Sequence, residues 1–376
     1  MNDRRTEYEL ERWLAGEDPP RGSDWVAAYV IDELRSTPQE RGWRARWPSM
    51  RPALLLLATV AAGVLFAIWL QAPRDSGPPT ASPTPSESPP GVSPSPVPSP
   101  SLAPEVSEVF TFDEETWSVV PGDGAVWVQV GEVGMARLDP ATGSISAPVE
   151  DLPNAARSGD SLWAPAIGRG VVEMDALSGV VRRQFPGING YYIAVDETDI
   201  WVTDVGHTLE RVDRATGERL ASIDVPAEPK EVTIGFDSVW VACDAGGVVA
   251  RIDPATNEVT AEIEAGLRPV NLAVGDGSVW VWNHDHELLR IDAATNQVIA
   301  TIGGLADGPS VGLTFGGGFV WVAVPTGIAR VDPATNTITD TIHLGSGTYI
   351  DIEWFDGDLW VSTERRNQVL RVTPQL

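Results

Sequence analysis

Aligned on the tryptophan that recurs along its C-terminal part, the chain presents seven equivalent positions nine residues upstream of it. They are Ser118, Asn154, Tyr192, Glu231, Asn271, Gly312 and Asp351. Carboxylate and amide oxygens on one ring are the hard ligands that Ca2+ prefers. Glu231, Asp351, Asn154 and Asn271 are therefore the candidate metal ligands, with Ca2+ the cofactor that such a set would suit, and Tyr192 is a candidate ligand contact beside them. A hydrated polar channel without a specific ligand is the plainer reading, because equivalent positions near water are often polar. The run Asn283-His284-Asp285-His286 is a second candidate, since two histidines flanking an aspartate could hold a transition metal. Only two such ligands are local and no cysteine is near, so a solvated loop is the expectation there. Glu364 follows the last of the tryptophan runs and completes the candidate list. No Gly-rich phosphate loop, nucleophile elbow or zinc-ligand cluster is present in the sequence.

The elements that must position these residues follow from the repeat. The tryptophans are Trp127, Trp163, Trp201, Trp240, Trp280, Trp321 and Trp360, spaced by 36, 38, 39, 40, 41 and 39 residues. A period near 40 signals a repeat architecture. In the fourth unit four short strands are expected over 231–234, 238–242, 248–253 and 258–263. Asp-Gly pairs such as Asp276-Gly277 suit the tight hairpin before the tryptophan strand. Asp-Pro-Ala-Thr-Asn or a variant follows the third strand, and its closing residue is Gly143, Gly179, Gly217, Asn257, Asn296 or Asn336. Gly and Asn are the residues that accept left-handed backbone most readily.

A four-stranded unit of this size cannot bury both faces alone, and radial packing around an axis solves that problem. Seven tryptophan strands predict an all-β, seven-bladed β-propeller over residues 105–376. The last unit lacks a fourth strand, and the β-like stretch 105–112 is expected to supply it and close the ring. Residues one step after the ring positions, from Val119 to Ile352, are all apolar, so alternation directs the ring positions to the axial channel. A closed ring of this kind is expected to be a monomer.

The formal charge of −27 arises from 53 acidic against 26 basic residues, and the first 74 residues are balanced, so the excess belongs to the propeller. Such a surface repels phosphate backbones, which argues against nucleic acid as a partner. A single cysteine, Cys243, rules out an intrachain disulfide.

The N-terminal third has a different character. Residues 1–51 are polar, with two short amphipathic helices expected, and Ala53 to Leu70 is an uncharged apolar run long enough to cross a bilayer. Arg41, Arg44, Arg46 and Arg51 precede it, which places the N-terminus in the cytoplasm and the propeller outside a bacterial cell membrane. The cytosolic stretch is longer than a signal-peptide n-region, so residues 52–71 are expected as an uncleaved single-pass anchor. Twelve prolines between residues 72 and 104 predict a polyproline-like spacer, reaching about 90 Å at 3.1 Å per residue.

Units such as Val249-Ala250-Arg251-Ile252-Asp253-Pro254-Ala255-Thr256-Asn257, followed by Arg268-Pro269-Val270-Asn271-Leu272-Ala273-Val274, resemble the bacterial YVTN/YncE-like propeller repeat. The resemblance implies an exported or surface propeller with a binding role. It departs at the name-giving strand, where this chain has Val-Trp-Val-Ala. Six-bladed gluconolactonase-like propellers are similar in using Glu, Asn and Asp around a central cation. Virginiamycin B lyase-like propellers are similar in combining seven blades with His and Glu on one face. The expected function is thus a membrane-anchored extracytoplasmic module that binds an extracellular protein, glycan or small molecule. A metal-dependent lyase or lactonase is the enzymatic alternative, and a transmembrane anti-sigma-like signalling protein is the third.

Overall fold

The computed structural model describes residues 105–131, 134–204, 206–305 and 312–376. The expected cytosolic segment, membrane anchor and spacer lie outside the described residues. Among the described residues no helix is long and apolar enough to cross a membrane.

Those residues form seven four-stranded antiparallel sheets, one per repeat. In the fourth blade the strands run, from axis to rim, Pro229–Gly235, Ser238–Cys243, Val248–Asp253 and Glu258–Glu264. The sequence places the last three to within a residue. The axial strand starts earlier than expected, and its pairing with the second strand is irregular between Pro229 and Val232.

The turns do what their residues permit. Phe236 and Asp237, both at φ 55°, link the axial and second strands through a two-residue hairpin turn whose twist matches its strands. After the third strand, Asp253 Oδ1 accepts the N–H of Ala255 at 2.8 Å, and Asp253 O accepts that of Asn257 at 2.8 Å. Asn257 closes the turn at φ 60°, and the other five closing residues also have positive φ, from 54° to 75°. A bulge beside the third-strand arginine follows, as between Arg251 and Ile252.

The ring closes as its sequence predicts. Glu105–Thr111 pairs antiparallel with Gln368–Thr373 and becomes the outer strand of the seventh blade. Phe110 stacks on Trp360 with ring centroids 6.0 Å apart, and Phe112 is buried behind it.

All seven tryptophans are buried, and each faces the next blade. Trp240 packs with Leu272, Val279 and Val281, while Trp360 packs with Val119, Val126 and Val128 of the first blade. Each indole removes about 150–250 Å² from water, worth roughly 4–6 kcal/mol before entropy is counted. Polar stitches add direction to this packing. Arg211, Arg251 and Arg290 stand directly opposite the tryptophans of their own blades, with guanidinium carbons 4.9–5.0 Å from the ring centroids. Each also donates forward to the closing Asn of the next blade, at 2.8, 2.7 and 2.9 Å to Asn257, Asn296 and Asn336. In the second blade Glu173 occupies the arginine position. There Arg183 of the outer strand covers Trp163 instead and pairs with Glu173.

Candidate functional site

Because the four strands alternate in direction, each blade has two unlike ends. One end carries the hairpins from the axial strand and the Asp-initiated turns. The other carries the second-to-third-strand turns and the connections to the next blade. The axial strands begin at this second end, so the predicted ring lies at that mouth of the channel.

The alternation is as expected. Val119, Ala155, Ile193, Val232, Leu272, Leu313 and Ile352 are buried, while Ser118, Asn154, Tyr192, Glu231, Asn271 and Asp351 are half-buried. Glu231, Asp351 and Asn154 are engaged with backbone, whereas Ser118 bonds the Gln129 side chain. Glu231 Oε2 accepts the N–H of Leu272 in the next blade at 2.9 Å, and Asp351 Oδ2 accepts that of Val119 in the first blade at 2.9 Å. Asp351 Oδ1 also accepts the N–H of Ile352 at 2.9 Å, and Asn154 Oδ1 that of Ala155 at 2.7 Å. The carboxyls thus stitch neighbouring axial strands while facing one another across the channel.

Their mutual field has consequences. Desolvation pushes Glu231 up to about 8, against the hydrogen bond from Leu272 and with help from the Asp351 charge. Desolvation likewise raises Asp351 to about 6. Glu353, two residues beyond Asp351, is held well above the usual carboxylate range by desolvation and by both of those acids. Its Oε2 lies 3.5 Å from the Thr314 hydroxyl. Tyr192 is raised by burial first and then by Tyr191 and Glu231. Glu353 is the residue that sequence reasoning missed. Its signal was available, since the equivalent position holds Ala156, Ala194, Thr233, Ala273 and Thr314 in other blades, and a lone acid among small residues stands out. Among the described residues no group of three or more His, Cys, Asp or Glu is arranged to hold a metal ion.

The Asn283-His284-Asp285-His286 turn lies at the same end. Asn283 is fully buried, donates to Ala265 O at 3.0 Å and accepts the N–H groups of Asp285 and Glu287 at 3.0 and 3.1 Å. Asp285 Oδ2 accepts the N–H of Leu267 at 2.8 Å. Both side chains therefore dock the turn on the connection from the previous blade. The two histidines diverge in their contacts. His286 meets the edge of Trp282 at 6.3 Å, while burial and the nearby Arg268 lower the pKa of His284, so it is neutral at pH 7. Glu364 lies on the seventh blade, its N–H bonded to Thr348 O at 3.2 Å and its carboxylate 4.0 Å from Arg365. No described contact joins it to either histidine. His207 precedes the third strand of blade three, and His343 ends the outer strand of blade six. All four histidines of the chain thus lie at this one end.

Beside His284 is a cavity of about 480 Å³, bounded by the turn 244–247 and the connection 266–268. Asp244, 2% exposed, receives Arg268 Nε and Nη2 at 2.7 and 2.9 Å. Desolvation opposes ionisation of Asp244, but Arg268 outweighs it and the carboxyl titrates below its ordinary range.

No family model and no curated protein matches the sequence. Solved structures do. Virginiamycin B lyase from Staphylococcus aureus superposes with a TM-score of 0.58 at 16% identity, over 71% of this chain and 99% of that one. The WD40 propeller domain of Doa1 gives a TM-score of 0.61 at 11% identity, over 73% and 98% of the two chains. BamB from Moraxella catarrhalis gives 0.53 at 15% identity, over 70% and 84%. At such identities the likeness establishes the propeller fold and nothing finer.

Proposed function

We propose that this chain is a membrane-anchored extracytoplasmic propeller of the YVTN/YncE-like kind that binds a ligand or partner at its connection end. One observation carries the reading. The four histidines, the acidic channel mouth and the cavity beside Asp244 all gather at one end of the blades, whereas the other end is built from repeated hairpins and Asp-initiated turns. Rigid blades presenting variable turns at one end are the usual basis of a binding surface. The uncharged apolar run from Ala53 to Leu70 and the proline-rich stretch after it support the anchored, extracytoplasmic part of the reading.

The test is a thermal-shift screen of the full-length chain against small molecules, glycans and peptides. A ligand that raises Tm should lose its effect in a His284→Ala/Glu364→Ala variant and keep it in a Thr295→Ala variant of the opposite end. Equal loss in both would overturn the reading. A lyase or lactonase activity is the second reading, favoured by three mutually perturbed acids in one channel, since such groups mark catalytic sites more often than chance. It requires that a bound compound be consumed, which chromatography of the incubated hit decides.

A further inference from the structure

The cavity beside Asp244 has walls of two signs. Asp244 occupies one edge of the Arg268 guanidinium through Nε and Nη2. The Arg268 side chain is 53% exposed, and Nη1 has no hydrogen-bond partner among the described contacts. Arginine's fixed fork can hold one carboxylate on each edge. Glu228, 53% exposed, also lines the cavity. Its carboxylate is 4.0 Å from Lys230 Nζ, too far for a hydrogen bond. Lys230 is the single lysine of the chain and stands behind this wall, 3.9 Å from Asp244.

Three glycines, Gly246, Gly247 and Gly266, form the floor. At Gly266, with φ 79°, an added Cβ would come within 2.6 Å of the Asn283 amide nitrogen, so the floor stays bare backbone. Leu267 is 56% exposed at the rim. Glu228 and Arg268 both hold left-handed backbone, at φ 54° and 51°, a conformation unfavourable for residues with a Cβ.

We propose that this cavity binds an α-amino acid with an apolar side chain. The ligand carboxylate takes the free edge of Arg268, the ammonium pairs with Glu228, and the side chain lies against Leu267. A simple anion fits poorly, because Glu228, Asp244 and Asp285 surround the site with negative charge. A simple amine leaves the Arg268 edge unused. This inference rests on the connection end being the binding surface and names the ligand class for one place on it.

The experiment is isothermal titration of the full-length chain with leucine, 4-methylpentanoate, isopentylamine and N-acetylleucine. These share the branched apolar body and differ in their charged groups. Leucine is expected to bind at least tenfold more tightly than each of the other three. Glu228→Gln is expected to weaken leucine tenfold or more. Arg268→Lys, which retains the charge beside Asp244 and loses the fork, is expected to do the same, with melting temperatures matching wild type. Binding of 4-methylpentanoate or isopentylamine equal to leucine would overturn the proposal, as would leucine binding unchanged in both variants. If leucine fails while other compounds still raise Tm through the connection end, this proposal falls and the binding reading stands. If nothing raises Tm, both fall.

Discussion

Arg251 of the fourth blade donates from Nη1 to Asn296 Oδ1 of the fifth at 2.7 Å, while its guanidinium lies 4.9 Å from the Trp240 ring centroid. One side chain therefore joins the core tryptophan of a blade to the turn of its neighbour. The same relation recurs from Arg211 to Asn257 and from Arg290 to Asn336. It explains why these three turns close with Asn although Gly would satisfy the backbone equally well.

Asn296→Gly keeps the left-handed backbone and removes only the side-chain acceptor. A hydrogen bond to a charged group contributes about 1.5–3 kcal/mol, partly offset by easier backbone geometry. A net loss of about 1 kcal/mol is expected, and Asn296→Ala, which adds left-handed strain, should lose about 1 kcal/mol more. Thermal melts of both variants decide this, and equal Tm values would show that the stitch contributes nothing.

Gly143 and Gly217 close equivalent turns at φ 70° and 75°. An added Cβ meets nothing within 4 Å at Gly143, but comes 2.3 Å from the Phe185 ring at Gly217. Gly143→Asn should change stability by less than about 0.5 kcal/mol. Gly217→Asn should cost about 2–3 kcal/mol through displacement of Phe185. Comparable melting temperatures for the two variants would contradict this difference.

The channel acids make stability depend on pH. Glu231 titrates near 8 in the folded chain against an ordinary value of 4.5. The folded state therefore holds an extra proton between those values, and stability falls as pH rises through that window. Asp351, near 6 against 3.8, adds a fall at lower pH. Because both side chains are only half-buried, their charges are partly screened, and the loss from pH 5 to pH 8 should be about 2 kcal/mol. Glu231→Gln preserves an acceptor for Leu272 and should flatten the profile, melting higher than wild type at pH 8. A wild-type Tm that rises with pH over this range would refute the assignment.

A cation at the mouth would have to displace protons from Glu231 and Glu353. Calcium titration should accordingly give no measurable heat at pH 6, and any binding should appear above pH 8 and vanish in Glu231→Gln/Asp351→Asn. Tight binding at pH 6 would show that these acids are ionised and that the channel is a preformed cation site.

Closure depends on the first described strand, Glu105–Thr111. Phe112 is buried next to Trp360 and Val119 in the seam between the seventh and first blades. Phe112→Ala should cost about 3–4 kcal/mol. Hydrogen exchange should show the loss concentrated in 105–111 and 368–373, the two strands that zip the ring. Uniform loosening of all blades would argue that closure is not local.

What the sequence determined was the ring. The spacing of seven tryptophans, the alternation along the axial strands and the Gly or Asn at six turn positions are local patterns with local physical causes. They set blade number, strand order and the closing role of 105–112. They also placed Tyr192, Glu231, Asn271 and Asp351 on one face of the axial strands, because alternation is a property of a single strand, while Asn154 falls two residues ahead of its strand Ala156–Ser158. Tertiary structure decided what those side chains do. Whether a carboxyl is ionised depends on what faces it from other blades, so the shared field of Glu231, Asp351 and Glu353 has no signature in any one repeat. The Asp244–Arg268 pair likewise joins a turn of one blade to the connection leaving it, 24 residues apart. No periodic position marks it. Repetition encodes the scaffold, while the differences between repeats acquire meaning only when the blades meet.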